Sequence, residues 1–184
     1  MAQALNANRI VDRSIGVAKL VQRTYREIAV DPGATKEAAI VVVVVAIAGA
    51  IGGARNGTAG IFAGLVGAII FWLLFSAVAW FFGTQLFGKP TTNATSESLL
   101  RTLGYAQAPN ILAIVGFIPI LGWLVAFIGS IWVLITSVYA IRQVLGLGTG
   151  RAIITAVVAW IALGIIFAIV AIIFGITLGV AGAI

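Results

Sequence analysis

The chain has 184 residues, 62% hydrophobic and 9% charged, with a mean hydropathy of +1.19. A soluble domain carries about 25% charged residues, so this composition excludes an ordinary soluble core and predicts an all-α integral membrane protein. The net charge of +6 comes from basic residues at span ends and near the N-terminus, which points to anionic lipid headgroups and not to nucleic acid, and the absence of Cys and His excludes disulfides, thiolate chemistry and imidazole metal sites.

Residues 1–30 hold no short apolar core before a cleavage site, so no cleaved signal peptide is expected. Within residues 8–29, Ile10, Ser14, Val17, Val21, Tyr25 and Ile28 recur at helical spacing. This predicts an amphipathic N-terminal helix. It lies in the membrane interface, or it packs on the protein itself. Arg9, Arg13, Lys19, Arg23 and Arg26 would then meet lipid headgroups, as would Arg101 further along. Asp31-Pro32-Gly33 ends the helix, and Asp31 can cap the next one with Pro32 in its first turn.

Five transmembrane spans are expected in residues 31–184, at about 37–54, 59–82, 98–118, 123–141 and 152–176. The run Val41 to Val45 would suit a strand in water, but lipid demands bonding within the segment and therefore a helix. Arg55 to Thr58 reads as a tight turn. Trp80 fits an aromatic belt, whereas Trp72 is expected to pack between helices. Thr95 or Ser96 can cap the third span. That span should be a single helix bent near Pro109, with Arg101 snorkelling to the surface and Tyr105 keeping a wet hydroxyl. It turns back at Pro119 to Gly122.

With five spans, ten basic residues share one side and Arg55 alone faces the other. The positive-inside rule then puts the N-terminus in the cytoplasm and the C-terminus outside. Small residues four apart, Gly49 and Gly53, Gly60 and Gly64, Gly175 and Gly179, allow close helix approach. They serve packing within one monomer or an oligomer face. Gln107 and Asn110, beside Tyr105 and Pro109, are either interhelical glue or the lining of a polar cavity.

No ionisable residue falls well inside a predicted span, and Ser76, Ser130 and Ser137 have no base beside them. The loop Gly146 to Arg151 lacks the Lys-Ser/Thr ending and the strand of a phosphate loop. No enzyme activity, metal or cofactor is therefore expected.

The order of features resembles the Yip-domain family in its bacterial form, over roughly residues 10–170. The resemblance rests on Asp31-Pro32, on Leu100 to Pro109 with Gly104-Tyr105 and Pro109 in a G-Y-x-x-x-P pattern, on Ile118 to Gly122, and on Gly148 to Ala152. It implies a multi-pass inner-membrane protein. Eukaryotic relatives bind Rab-type GTPases and carry a D-L-Y-G-P motif, which this chain lacks. The function expected is a non-enzymatic membrane scaffold or accessory subunit, with other membrane proteins, a second copy and lipids as partners. The alternative is a conduit or carrier for a small apolar or lipid-like molecule.

Overall fold

The computed structural model describes residues 6–52, 57–87, 94–118 and 120–181. Gly53, Arg55 and Asn56 of the expected turn, Lys89 among the ten basic residues, and Pro119 lie outside the described residues.

The N-terminal helix expected over 8–29 is two helices, α1 (Ala7–Ala18) and α2 (Gln22–Val30). Asn6 caps α1 by accepting from the Asn8 and Arg9 amides. Leu20, at φ 58°, ends it: its N–H donates to the Val17 carbonyl, and the Val21 N–H reaches back to Gly16. This left-handed closure normally falls to glycine. Leucine is tolerated because its side chain packs on the core. Val17, Tyr25 and Ile28 are buried against the bundle, while Val11, Ile15 and Val21 stay exposed. The Tyr25 hydroxyl donates to the Val17 carbonyl at 2.9 Å, and the Trp132 indole donates to the Ala18 carbonyl at 2.9 Å. The hairpin is thus tied to its own turn and to the bundle.

Among the described residues, four helices are long and apolar enough to cross a membrane. They are α3 (Ala34–Gly52), α4 (Gly57–Phe87), α6 (Leu121–Leu145) and α7 (Thr149–Ala181). The Asp31 carboxylate accepts from the Gly33 N–H at 2.9 Å and so shapes the turn into α3. The valine run is helical, as lipid requires.

The third predicted span is not one bent helix. It divides into α5 (Ser96–Tyr105) and a 3-10 helix (Ala108–Phe117). Thr95 opens α5 with a capping box to Ser98. Pro109 explains the break: it has no N–H, and its ring would strike the carbonyl four residues back, at Tyr105. A ten-residue 3-10 run is unusually long, since i→i+3 bonding is poorer than α bonding. It persists here wedged between α3 and α6. A Cβ on Gly52 would collide with the Ala113 carbonyl, so this wedge requires glycine there.

α4 packs on α3, α5 and α7, and α6 packs on α5, α7 and the 3-10 helix. The core joins Ala38, Phe75, Leu103, Ile141 and Leu163. Outward faces are apolar: Ile47, Phe62, Leu73, Ile131, Ile161 and Ile165 are exposed. Buried Ser76 and Thr155 turn their hydroxyls to carbonyls four residues back in their own helices. Polar groups are thus satisfied inward while the hydrocarbon faces lie outside, the arrangement a bilayer solvent selects.

Candidate functional site

Glu37, in the first turn of α3, is fully buried. Both its oxygens are occupied. Oε1 accepts from Arg9 Nη2, and Oε2 accepts from Arg13 Nη1 at 2.7 Å and from the Tyr105 hydroxyl at 2.6 Å. Arg13 Nη2 also pairs with Asp31 Oδ2 at 2.8 Å. Two guanidiniums and two carboxylates balance, which is what permits this burial. The arginines stand four apart on α1, so one helix face presents both.

Burial alone would raise the Asp31 pKa, but the hydrogen bonds from Arg13 and the Gly33 N–H outweigh it and hold the carboxyl below its ordinary 3.8. Burial likewise works against the Arg13 charge, yet its bonds to Asp31 and Glu37 leave its pKa raised. A depressed carboxyl pKa contributes stability that is complete above pH 3.8 and is lost as pH falls through the folded-state value. Thermal unfolding followed against pH should therefore show an acid loss below pH 3.8 that is smaller in Asp31→Asn. Equal acid sensitivity in both proteins would remove Asp31 from the account.

Tyr105 ends α5, and the cluster fixes where the chain breaks. Its hydroxyl is therefore not wet, contrary to expectation: the residue is 0% exposed. Gly104 lets α5 close on α3 and α4, since a Cβ there would sit 2.8 Å from the Ala38 Cβ and 3.0 Å from Trp72 Nε1. Trp72 packs between helices, as expected, and donates to the Leu100 carbonyl at 2.8 Å. Across the break, the Thr136 hydroxyl of α6 lies 2.8 Å from the Ala106 carbonyl and donates to it. Thr136→Val should cost about 1 kcal/mol, the net worth of one buried hydrogen bond. Detergent unfolding would read it, and no loss would mean that the hydroxyl serves only the carbonyls of its own helix.

Beyond the break lies a cavity of about 560 Å³ walled by α3, α4, α6, α7 and the 3-10 helix. Gln107 and Asn110 line it together with Ser130 and Ser137. The two amides share one bond of 3.4 Å, from Asn110 Nδ2 to Gln107 Oε1. Gly49, Gly64 and Gly129 keep the walls thin. Phe71, Phe75 and Trp160 form an aromatic side, with Trp160 edge-on to both phenyl rings. Pro109 instead lines a second, nearly all-apolar groove of about 570 Å³ beneath α1, and Tyr105 lines neither.

The headgroup set divides. Lys19, Arg23 and Arg26 are exposed. Arg9 and Arg13 turn inward to Glu37, and Arg101 is a correction: it is 4% exposed and its Nε donates to the Glu97 carbonyl. Burial in α5, away from the surface, accounts for this. Of the small residues, Gly49 and Gly64 would meet nothing within 4 Å if given a Cβ, so neither packs against another described part of the chain. The surroundings of Gly60, Gly175 and Gly179 lie outside the described residues, as does Gly53 itself. Sequence reading missed Glu37. The available signal was an acid in the first turn of a span, together with an Arg pair at helical spacing and a tyrosine at a proline break.

No curated protein and no solved structure matches the chain. The Yip1 domain model matches residues 18–180, a stretch that holds Glu37, the Gly104-Tyr105 pair, the break at Pro109 and the whole cavity. The chain is a multi-pass membrane protein that belongs to the Yip1 domain family.

Proposed function

We propose that this protein is a non-enzymatic membrane protein that holds a small apolar or lipid-like molecule in the cavity beside the helix break. The observation that carries this reading is the pairing of Gln107 and Asn110, with Ser130 and Ser137, in a cavity otherwise walled by Gly, Ala, Val and aromatic residues. A polar patch in an apolar, membrane-level pocket suits an amphiphile, with its polar end at the amides and its apolar body against Phe71 and Trp160. In this reading α5 and the 3-10 helix form the fifth crossing. Tyr105 meets Glu37 in the first turn of α3 and Ala113 meets Gly52 at its described end, so the segment from the break onward runs alongside α3. Five crossings leave the N-terminal hairpin in the cytoplasm and the C-terminus outside.

The test is native mass spectrometry of the full chain released from its membrane in mild detergent. Wild type should retain a defined small molecule or lipid. Gln107→Leu with Asn110→Leu should reduce that retention by about tenfold or more while leaving the unfolding midpoint near wild type. Equal retention in both proteins, or none in wild type, would end this reading.

A second reading, a scaffold or accessory subunit, is favoured by one observation. Gly49 and Gly64, where the cavity opens, present small-residue surface that no other described part of the chain covers. It predicts a stoichiometric oligomer or protein complex that Gly49→Leu and Gly64→Leu dissociate. A monomeric mass for wild type would rule it out.

A further inference from the structure

At the other end of the bundle from the α6 N-terminus, a separate pocket of about 440 Å³ opens between α2, the start of α5 and the end of α6. Arg26 and Arg142 both line it, with Gln22, Gln143 and Ser98. Among the described residues, no acidic side chain lines it. The nearest acids in sequence are engaged elsewhere: Glu27 pairs with Arg23 at 2.7 Å and Glu97 with Arg101 at 3.6 Å. Neither Arg26 nor Arg142 has an acidic partner among the described residues.

Arg142 is held in place. Its guanidinium lies 5.7 Å from the Tyr139 ring centre, and Tyr139 meets Tyr25 edge-on at 5.0 Å. Stacking of this kind pre-orders a guanidinium without consuming its hydrogen-bond donors. At the pocket, Gln22 Nε2 donates to Gln143 Oε1 at 3.0 Å, which leaves the Gln143 amide N–H groups available. Ala29, Val30, Ala94, Val144 and Leu147 supply an apolar part of its lining.

The carbonyl end of α6 adds negative potential here, and Arg142 in its last turn offsets that. A dipole end amounts to about half a charge, so one guanidinium more than balances it. Arg26 is then an uncompensated cation facing the same space. Two guanidiniums beside an apolar lining match a phosphate ester joined to a carbon skeleton. The pocket lies where α5 begins and α6 ends, and the ends of membrane-crossing helices meet the headgroups.

We infer that this pocket binds a phosphate ester, with Arg26 and Arg142 as the anion clamp and an anionic phospholipid headgroup as the source. The site is independent of the cavity at Gln107 and Asn110, and it stands or falls separately from the proposed function.

The test uses the full chain in detergent, titrated by native mass spectrometry with phosphatidylglycerol and, separately, phosphatidylcholine. Wild type should bind phosphatidylglycerol preferentially. Arg26→Gln with Arg142→Gln should weaken that binding by about a hundredfold, about tenfold for each charge-assisted pair. Lys19→Gln, which removes an exposed cation outside the pocket, should leave it unchanged. A soluble phosphate source would instead show as thermal protection of lipid-free wild type by millimolar glycerol phosphate, absent in the double variant; this keeps the site and changes its ligand. Equal binding of the two lipids without protection by glycerol phosphate would overturn the inference. So would a Lys19→Gln loss as large as that of the double variant, because the attraction would then be diffuse surface charge.

Discussion

Glu37→Gln is expected to destabilise the folded chain by about 3–5 kcal/mol, the range found when one partner of a buried charge pair is removed. The substitution changes shape very little. Its effect is electrostatic: Arg9 and Arg13 would face Asp31 alone, with one positive charge left uncompensated in a region Glu37 occupies at zero exposure. The α1–α2 hairpin is the element that must loosen, because α1 carries both arginines. Unfolding in detergent should show the loss, and limited proteolysis should cut the chain within α1. Adding Arg13→Gln to Glu37→Gln restores charge balance and should recover part of the loss, which a double-mutant cycle would read as coupling between the two. Wild-type stability in Glu37→Gln would mean that water, and not Glu37, compensates the arginines.

Gly104→Val should be the other large effect. In an open helix, replacing glycine with alanine gains about 1 kcal/mol of helix propensity. Here a Cβ at 104 falls 2.8 Å from the Ala38 Cβ and 3.0 Å from Trp72 Nε1, so contact decides the sign. Overpacking of this kind costs about 1–3 kcal/mol, which matches or exceeds the propensity gain for alanine, and valine adds two more methyl groups. The damage would spread because α5 must back away from α3 and α4 together, stretching the Trp72 bond to Leu100 and the Tyr105 bond to Glu37. Unfolding midpoints of Gly104→Ala and Gly104→Val, with and without Ala38→Gly, measure this. Ala38→Gly should rescue the alanine variant more than the valine variant. A stabilised Gly104→Ala would show that the three helices have room to spare.

These two positions also give a physical meaning to the G-Y-x-x-x-P pattern. Glycine allows α5 to approach, tyrosine locks its end to a buried acid, and proline prevents the helix from continuing. The residues that follow are thereby released from α geometry. Gln107 and Asn110 reach the cavity from the turn and the 3-10 helix that result.

Much of the architecture was legible in the sequence because apolar runs and turn residues are local signals. The spans corresponding to α3, α4, α6 and α7, the Thr95 cap and the interior place of Trp72 all follow from such signals. The third span was misread because hydropathy counts apolar residues without regard to whether the backbone stays α-helical; the run Ile111 to Phe117 is equally apolar as 3-10. Glu37 was passed over because its partners lie 28 and 24 residues before it and 68 after it, and their convergence is a property of the fold. The same holds for the arginines. Arg9, Arg13 and Arg101 look like Arg23 in the sequence, yet only Arg23, its side chain 88% exposed, stands in solvent. Glycine spacing identified stripes without saying what each stripe meets: Gly52, outside the chosen pairs, is pressed against Ala113, and Gly49 opens onto the cavity.

The most direct test of the proposed function is photolabelling of the membrane-embedded protein with a lipid carrying a photoreactive group on its acyl chain, followed by peptide mapping. Labelling should concentrate on cavity residues such as Ala46, Ala68 and Val133, and it should fall sharply at those sites in Gly64→Leu and in Gln107→Leu with Asn110→Leu, while labelling of outward-facing Ile161 and Ile165 stays constant. Uniform labelling of the outer faces, with cavity peptides unlabelled in wild type or unchanged in the variants, would contradict the account.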